Sequence, residues 1–341
     1  MTTGELVVEA DIVPTKGYRG LRHRLVIFAS ALVGVGLIVV LLSFIDPRTI
    51  IMLCSQLDPR WGLAGALCYG ATYLFRAARF QVLLAERRTA IGRMYSVACV
   101  HGMLNHLLPM RFGEVSYLYL VRRAFGVSLG EAAVSLLVAR LFDYMVVSTI
   151  FMIAAVRVLP ELPGGVGWYL VGAAALAALA VLGLILAVRL SHRLQTWGAR
   201  IRQERRRGVL SWVGQKLDEV ARAFDSASRA RVYMRVLGLS VLVWGGVFGT
   251  FYCLLRGLGF GVSPWLAIVG GTFAVLTSVL PLSGVGSFGT LEAGWTAGFL
   301  LIGFEREQAI ASGFAVHLLL FAMVILLGLV GAAAIAVGRK R

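Results

Sequence analysis

The sequence predicts an all-α polytopic integral membrane protein, with six full spans and two re-entrant helical hairpins that face opposite ways. Three observations lead there. Hydrophobic residues make up 59% of the 341-residue chain and charged residues 15%, with a mean hydropathy of +0.83. The apolar residues gather in runs near the ~20 residues that one helix needs to cross a bilayer. The lysines and arginines collect between those runs, on one side of them.

Residues 1–24 are polar and mixed in charge, and read as a cytoplasmic tail ahead of a single membrane domain over 25–341. Leu25–Ile45 is an uncharged run, too long for the apolar core of a secretory signal, and so a retained anchor. Trp61–Leu84 comes next, with Arg76 and Arg79 in its second half. Ala132–Val156 follows, interrupted by Arg140 and Asp143. Trp168–Val188, Val236–Leu255 and Ala309–Val337 contain no Asp, Glu, Lys or Arg.

Two stretches break where a span should continue. Met94–Leu108 stops at Pro109, and Val115–Val121 resumes for only seven residues before Arg122. Leu266–Leu280 stops at Pro281, passes Gly284, Gly286 and Gly289, and resumes to Phe304. Such breaks free backbone groups that lipid cannot satisfy, so they must be buried in protein or line a wet cavity. Both read as re-entrant hairpins.

With the hairpins returning to their own side, segments 1–24, 76–93, 122–123, 189–235 and 339–341 hold 26 Lys and Arg. The opposite connections hold five. The rich side is the cytoplasmic one, so both termini are expected there, in the cell (cytoplasmic) membrane. Counting each hairpin as two true crossings gives the same sidedness. This placement also accounts for the net charge of +16 without nucleic acid. In the loop 189–235, Val213, Leu217, Val220 and Phe224 recur at helical spacing. They fit an amphipathic helix on the inner membrane surface and equally a solvated linker.

The order span, hairpin, span occurs over 61–156 and again over 236–337, starting from opposite sides. Each hairpin breaks at Leu-Pro and then carries glycine and glutamate: Gly113-Glu114 in the first, Gly289 to Glu292 in the second. Inverted units with interrupted segments are a recurring transporter architecture.

Chemistry concentrates at these breaks. Arg111 lies at membrane depth, where a cation costs at least about 2.5 kcal/mol and is usually paired or faces a cavity. Its planar fork suits phosphate or carboxylate; it could also simply pair with Glu114 and close the hairpin. Arg140 and Asp143, three apart, can neutralise one another. Arg76 and Arg79 fit either snorkelling to the interface or guidance of a headgroup. Glu292 needs a partner from elsewhere or a proton, or caps the helix after Gly289-Thr290. His101, His106 and His317 are isolated from acidic or cysteine partners and read as packed, hydrogen-bonded side chains. The four cysteines stand singly, without metal spacing. No aspartate-rich diphosphate motif, GxSxG, HExxH or P-loop occurs, so the chain is expected not to be an enzyme and to need no cofactor.

Asn105…Leu108-Pro109-x-Arg111-x-Gly113-Glu114, with Arg140 and Asp143 on the next span, resembles the transmembrane domain of lysylphosphatidylglycerol synthases. Leu280-Pro281…Ser283-Gly284…Gly289…Glu292 is similar to that family's second Pro/Gly-rich motif, though many relatives have a Pro-Gly-Gly-like run near Ser283. The resemblance covers roughly residues 25–337. It implies a flippase-like domain that moves a lipid between leaflets, here without the aminoacyl-transferase domain of the two-part synthases. Stand-alone relatives are linked to hopanoid, isoprenoid and polyprenyl-glycan pathways.

The expected function is therefore transport of an anionic, phosphate-bearing or polyprenyl-linked lipid. Its headgroup would meet Arg111 and Arg140, balanced by Glu114, Asp143 and Glu292, with Asn105, Arg76 and Arg79 nearby. The expected partners are membrane lipids and lipid-biosynthesis enzymes. The alternatives are an embedded enzyme of lipid synthesis and an accessory subunit docked through the 189–235 loop.

Overall fold

A computed structural model of the chain describes residues 32–84, 89–108, 113–158, 230–277 and 285–338, together with eight helical positions between 171 and 189. Helices and short turns make up the described residues. The first two helices are α1 (Leu32–Leu42) and α2 (Pro47–Ser55), which meet at 84°. Of the expected span Leu25–Ile45, residues 32–42 form α1, after which the chain turns. The turn has a local cause. Asp46 caps α2 by accepting the Arg48 N–H at 2.9 Å, and Pro47, lacking an N–H, suits the first helical position. The same Asp-Pro-Arg start recurs at α3 (Pro59–Leu83), where Asp58 accepts from the Arg60 N–H at 2.8 Å.

α4 (Ile91–Leu107) and α5 (Gly113–Phe125) form an antiparallel hairpin. Gly113 lies so close to the backbone of Asn105 that a side chain there would overlap it, and Arg93 Nη1 reaches the Ala124 carbonyl at the other end, 3.4 Å away. α6 (Leu129–Val158) starts from a reciprocal cap, Ser128 with Glu131. After α7 (Ala230–Gly257), α8 (Pro264–Thr277) and α9 (Thr290–Leu301) form the second antiparallel hairpin, closed by Gly298 against the Gly270 carbonyl. α10 (Arg306–Val337) completes the described fold.

At about 1.5 Å per residue, α6, α7 and α10 are long enough to cross a ~30 Å hydrocarbon layer. They are also apolar enough; the bent pair α1–α2 passes as one span. α3 has the length, but its arginines make it less apolar. The four hairpin helices are each too short. Of the expected span Trp168–Val188, the described positions are helical and exposed. The breaks at Pro109 and Pro281, the N-terminal tail and nearly all of the 189–235 loop lie outside the described residues.

Two packing relations position the site. The most extensive joins α3 to α7, the first helices of the two units. In addition, α4 packs on α10 while α8 packs on α6, so exchanging the units carries one contact into the other. Aromatic rings fill the core of the second unit. Phe251 meets Trp295 edge-on at 5.2 Å, and Trp295 stacks on Phe299 at 4.5 Å, both of the latter fully buried. Leu326, Leu329, Val330 and Val337 stand exposed along α10, as expected where lipid is the solvent.

Candidate functional site

Where the two units meet, a cavity of about 150 Å3 opens between α3, α4, α6, α7, α8 and the turn before α9. α3 contributes Tyr69, Tyr73 and Arg76. Their spacing of four and three residues puts them on one helical face. α4 contributes His101, Asn105 and His106, and α6 contributes Arg140. Ser287 faces them from the second unit, in a turn whose backbone is left-handed at Gly286, Ser287 and Gly289 (φ 70°, 58° and 84°). A serine pays steric strain in that region, which glycine avoids.

An ionic cluster flanks the cavity. Arg79 is buried and clamps Asp143 with two contacts, 2.5 Å from Nη1 to Oδ1 and 3.3 Å from Nη2 to Oδ2. Arg79 also donates to Ser240 Oγ at 2.9 Å, and Trp244 Nε1 donates to Asp143 at 2.8 Å. α3, α6 and α7 are thereby tied at one carboxylate. Arg140 lies 3.7 Å from Asp143 Oδ2, but its shorter contact is Glu114 on α5, at 3.1 Å. So three arginines face two carboxylates, and Arg76 is the one without an ion pair among the described residues. Its guanidinium sits 5.3 Å from the Tyr73 ring centre. The Nε atoms of Arg76 and Arg140 and the Oδ1 of Asn105 are buried without a hydrogen-bond partner.

The histidines take fixed local partners. His101 Nδ1 is 3.0 Å from the Gly113 carbonyl and His106 Nδ1 is 2.9 Å from that of Gly102. Glu292 lies beside the cavity, fully buried. One carboxylate oxygen accepts the Gly289 N–H at 2.7 Å and the other shares a 2.6 Å hydrogen bond with His317 Nδ1. Phe288 covers the His317 ring at 4.4 Å.

Several sequence expectations change. Arg79 does not snorkel to an interface: it is buried, with Asp143 and Ser240 accepting from its Nη atoms. Asp143 is neutralised chiefly by Arg79 rather than by its helical neighbour Arg140. Glu114 bonds across to Arg140. His317 is not isolated from acids, since it pairs with Glu292, and Glu292 also makes the expected cap. Arg111 lies outside the described residues. Asn105, Arg76 and Arg140 do meet at one cavity. The sequence reading missed Tyr69, Tyr73, Trp244 and Ser287; the spacing of the two tyrosines with Arg76 was the available signal. No group of His, Cys, Asp and Glu among the described residues is arranged to hold a metal ion.

The protein family described as lysylphosphatidylglycerol synthase TM region matches residues 26–328. The chain is also similar to the glycosyltransferase AglD of Haloferax volcanii, 23% identical over 306 residues, covering 80% of this chain and 48% of that protein. It thus spans about half the length of the curated relative it matches. No solved structure matches it.

Proposed function

The chain belongs to the lysylphosphatidylglycerol synthase transmembrane-region family, and from that premise we propose that it moves a phosphate-bearing lipid, free or polyprenyl-linked, between membrane leaflets. Arg76 carries the reading. Among the described residues it brings a cation without an ion pair, and a buried donor without an acceptor, to a cavity lined by both units. Unpaired charge at depth is costly, and an anionic headgroup would offset that cost. At about 150 Å3 the cavity has room for a phosphate-sized group but not for acyl chains. The headgroup therefore crosses through protein while the chains stay in lipid.

The exchange-symmetric packing of α4 on α10 and α8 on α6 supports an inverted repeat, and with it alternating access about this cavity. The short hairpin helices support re-entrant hairpins. The charge bias supports a cytoplasmic position for both termini in the cell membrane. Similarity to a protein named a glycosyltransferase favours a second reading, a part in building a glycan-lipid.

Reconstitution separates the two. Purified protein in vesicles should move a labelled anionic phospholipid between leaflets without altering it. Arg76→Gln should slow that movement by about tenfold or more, the loss of one charge-assisted contact, while leaving thermal stability unchanged. Intact lipid that never changes leaflet, or a new lipid species by mass spectrometry, would displace transport in favour of the second reading.

A further inference from the structure

A second basic cavity, sharing no residue with the first, lies where three helix ends meet: the start of α4 and the ends of α5 and α10. α10 crosses α4 tightly at two glycines. A side chain at Gly328 would overlap Met103, and one at Gly331 would come within 2.8 Å of the Ser96 carbonyl. Beyond Gly331 the helices part. The wedge between them holds a cavity of about 440 Å3, within the ~300–1,000 Å3 range of small-ligand sites.

Its lining is mixed in character. Val97, Leu120 and Ile335 give it apolar lining from all three helices, while Arg93 and Arg123 line the same space from α4 and α5. Arg123 leans on Tyr119, 2.5 Å from Nη1 to the hydroxyl, and Arg93 reaches only the Ala124 carbonyl. Among the described residues, neither arginine makes an ion pair and no Asp or Glu lines the cavity. Two like charges around one pocket repel each other, and an anion between them removes that repulsion. The first turn of α4, capped only by Ala90, adds backbone N–H groups without a side-chain acceptor.

We propose that this cavity holds the headgroup of an anionic glycerophospholipid from the surrounding leaflet, with the phosphate between Arg93 and Arg123 and the acyl chains left in the bilayer. Three observations select a lipid over a soluble anion. The three helix ends place the wedge at membrane-surface level. The apolar lining matches a glycerol backbone and first methylenes, which free phosphate lacks. Basic pockets between transmembrane helices near the surface are also a general form of anionic-lipid site. This site is independent of the transport reading, because none of its residues serves the central cavity.

The test uses the purified full chain in phosphatidylcholine nanodiscs with a minor fraction of headgroup-photoreactive phosphatidylglycerol, followed by peptide mapping. Crosslinks should fall on 91–97 and 334–338, and unlabelled phosphatidylglycerol should compete while phosphatidylcholine and millimolar inorganic phosphate do not. That competition needs no variant. Arg93→Gln with Arg123→Gln should reduce labelling at least about fivefold. Arg122→Gln with Arg231→Gln, which removes the same charge outside the cavity, should leave it intact, as should Arg76→Gln. Equal loss in the Arg122/Arg231 pair would reduce the effect to surface potential. Equal competition by phosphatidylcholine would remove the requirement for an anion, and displacement by inorganic phosphate would make this a free-anion site; any of these overturns the proposal.

Discussion

The two hairpins place a glutamate near equivalent breaks and use it in opposite ways. Glu114, about 29% exposed, reaches across from α5 to Arg140 on α6. Glu292, with no exposure, closes on its own helix start and on His317. Among the described residues beside the cavity, the first unit sets Arg76, Arg79 and Arg140 against Asp143 and Glu114. Among the described residues, the second unit lines the cavity only with Ser287 and with apolar and aromatic side chains, and keeps Glu292 closed on His317 behind them. One unit supplies the field and the other the shape. Two hairpins with matching helix contacts thus carry different chemistry.

The sharpest way to break this contrast is at Asp143. Asp143→Ala leaves Arg79 buried without a counter-charge and should cost about 3–5 kcal/mol, read as thermal unfolding in one detergent. Glu114→Ala, at a partly exposed pair, should cost under about 1 kcal/mol. Equal costs would show that exposure does not separate the two carboxylates.

In the second unit, Glu292→Ala should cost about 2–3 kcal/mol by leaving buried donors unsatisfied. A double-mutant cycle with His317→Ala should return a coupling of at least about 0.5 kcal/mol; additivity would mean that the 2.6 Å contact contributes nothing. Next in size, Gly298→Ala should cost about 1–3 kcal/mol, because the new methyl meets the Gly270 carbonyl. Gly92→Ala, with open space around it, is the matched control. The smallest effect expected is a gain. Ser287→Gly should stabilise by up to about 1 kcal/mol, since glycine relieves the left-handed strain at φ 58°. Loss of transport in that variant would mark the serine hydroxyl as part of the cavity's chemistry.

Helix positions were legible in the sequence because apolar runs, Asp-Pro starts and Gly/Pro breaks are local signals. The bend after Leu42 was legible too, from Asp46-Pro47, but an uncharged run through Ile45 masked it. The cavity was legible in part: Asn105 and Arg140 belonged to a quoted motif, and Arg76 stood out as a charge on a span. The ion pairing was not. Spacing along a helix offers Asp143 its neighbour Arg140, yet the fold delivers Arg79 to 2.5 Å from another helix, with Ser240 and Trp244 from a third. His317 and Glu292 are likewise 25 residues apart and meet only through packing.

The buried clamp of Arg79 also sets an order of assembly. Arg79 and Asp143 are 64 residues apart, and synthesis delivers α3 first. While α3 is emerging, Arg79, near the end of that helix, lacks Asp143, and its insertion cost is then unrelieved, though below the about 2.5–3.5 kcal/mol of a helix-centre cation. That cost vanishes only when α6 arrives and is sealed when α7 adds Ser240 and Trp244. α3 is therefore a helix whose place in the bilayer is decided by later-made sequence. Truncating the nascent chain before α6 should leave α3 extractable by alkaline carbonate, and extending it past Trp244 should lock it in.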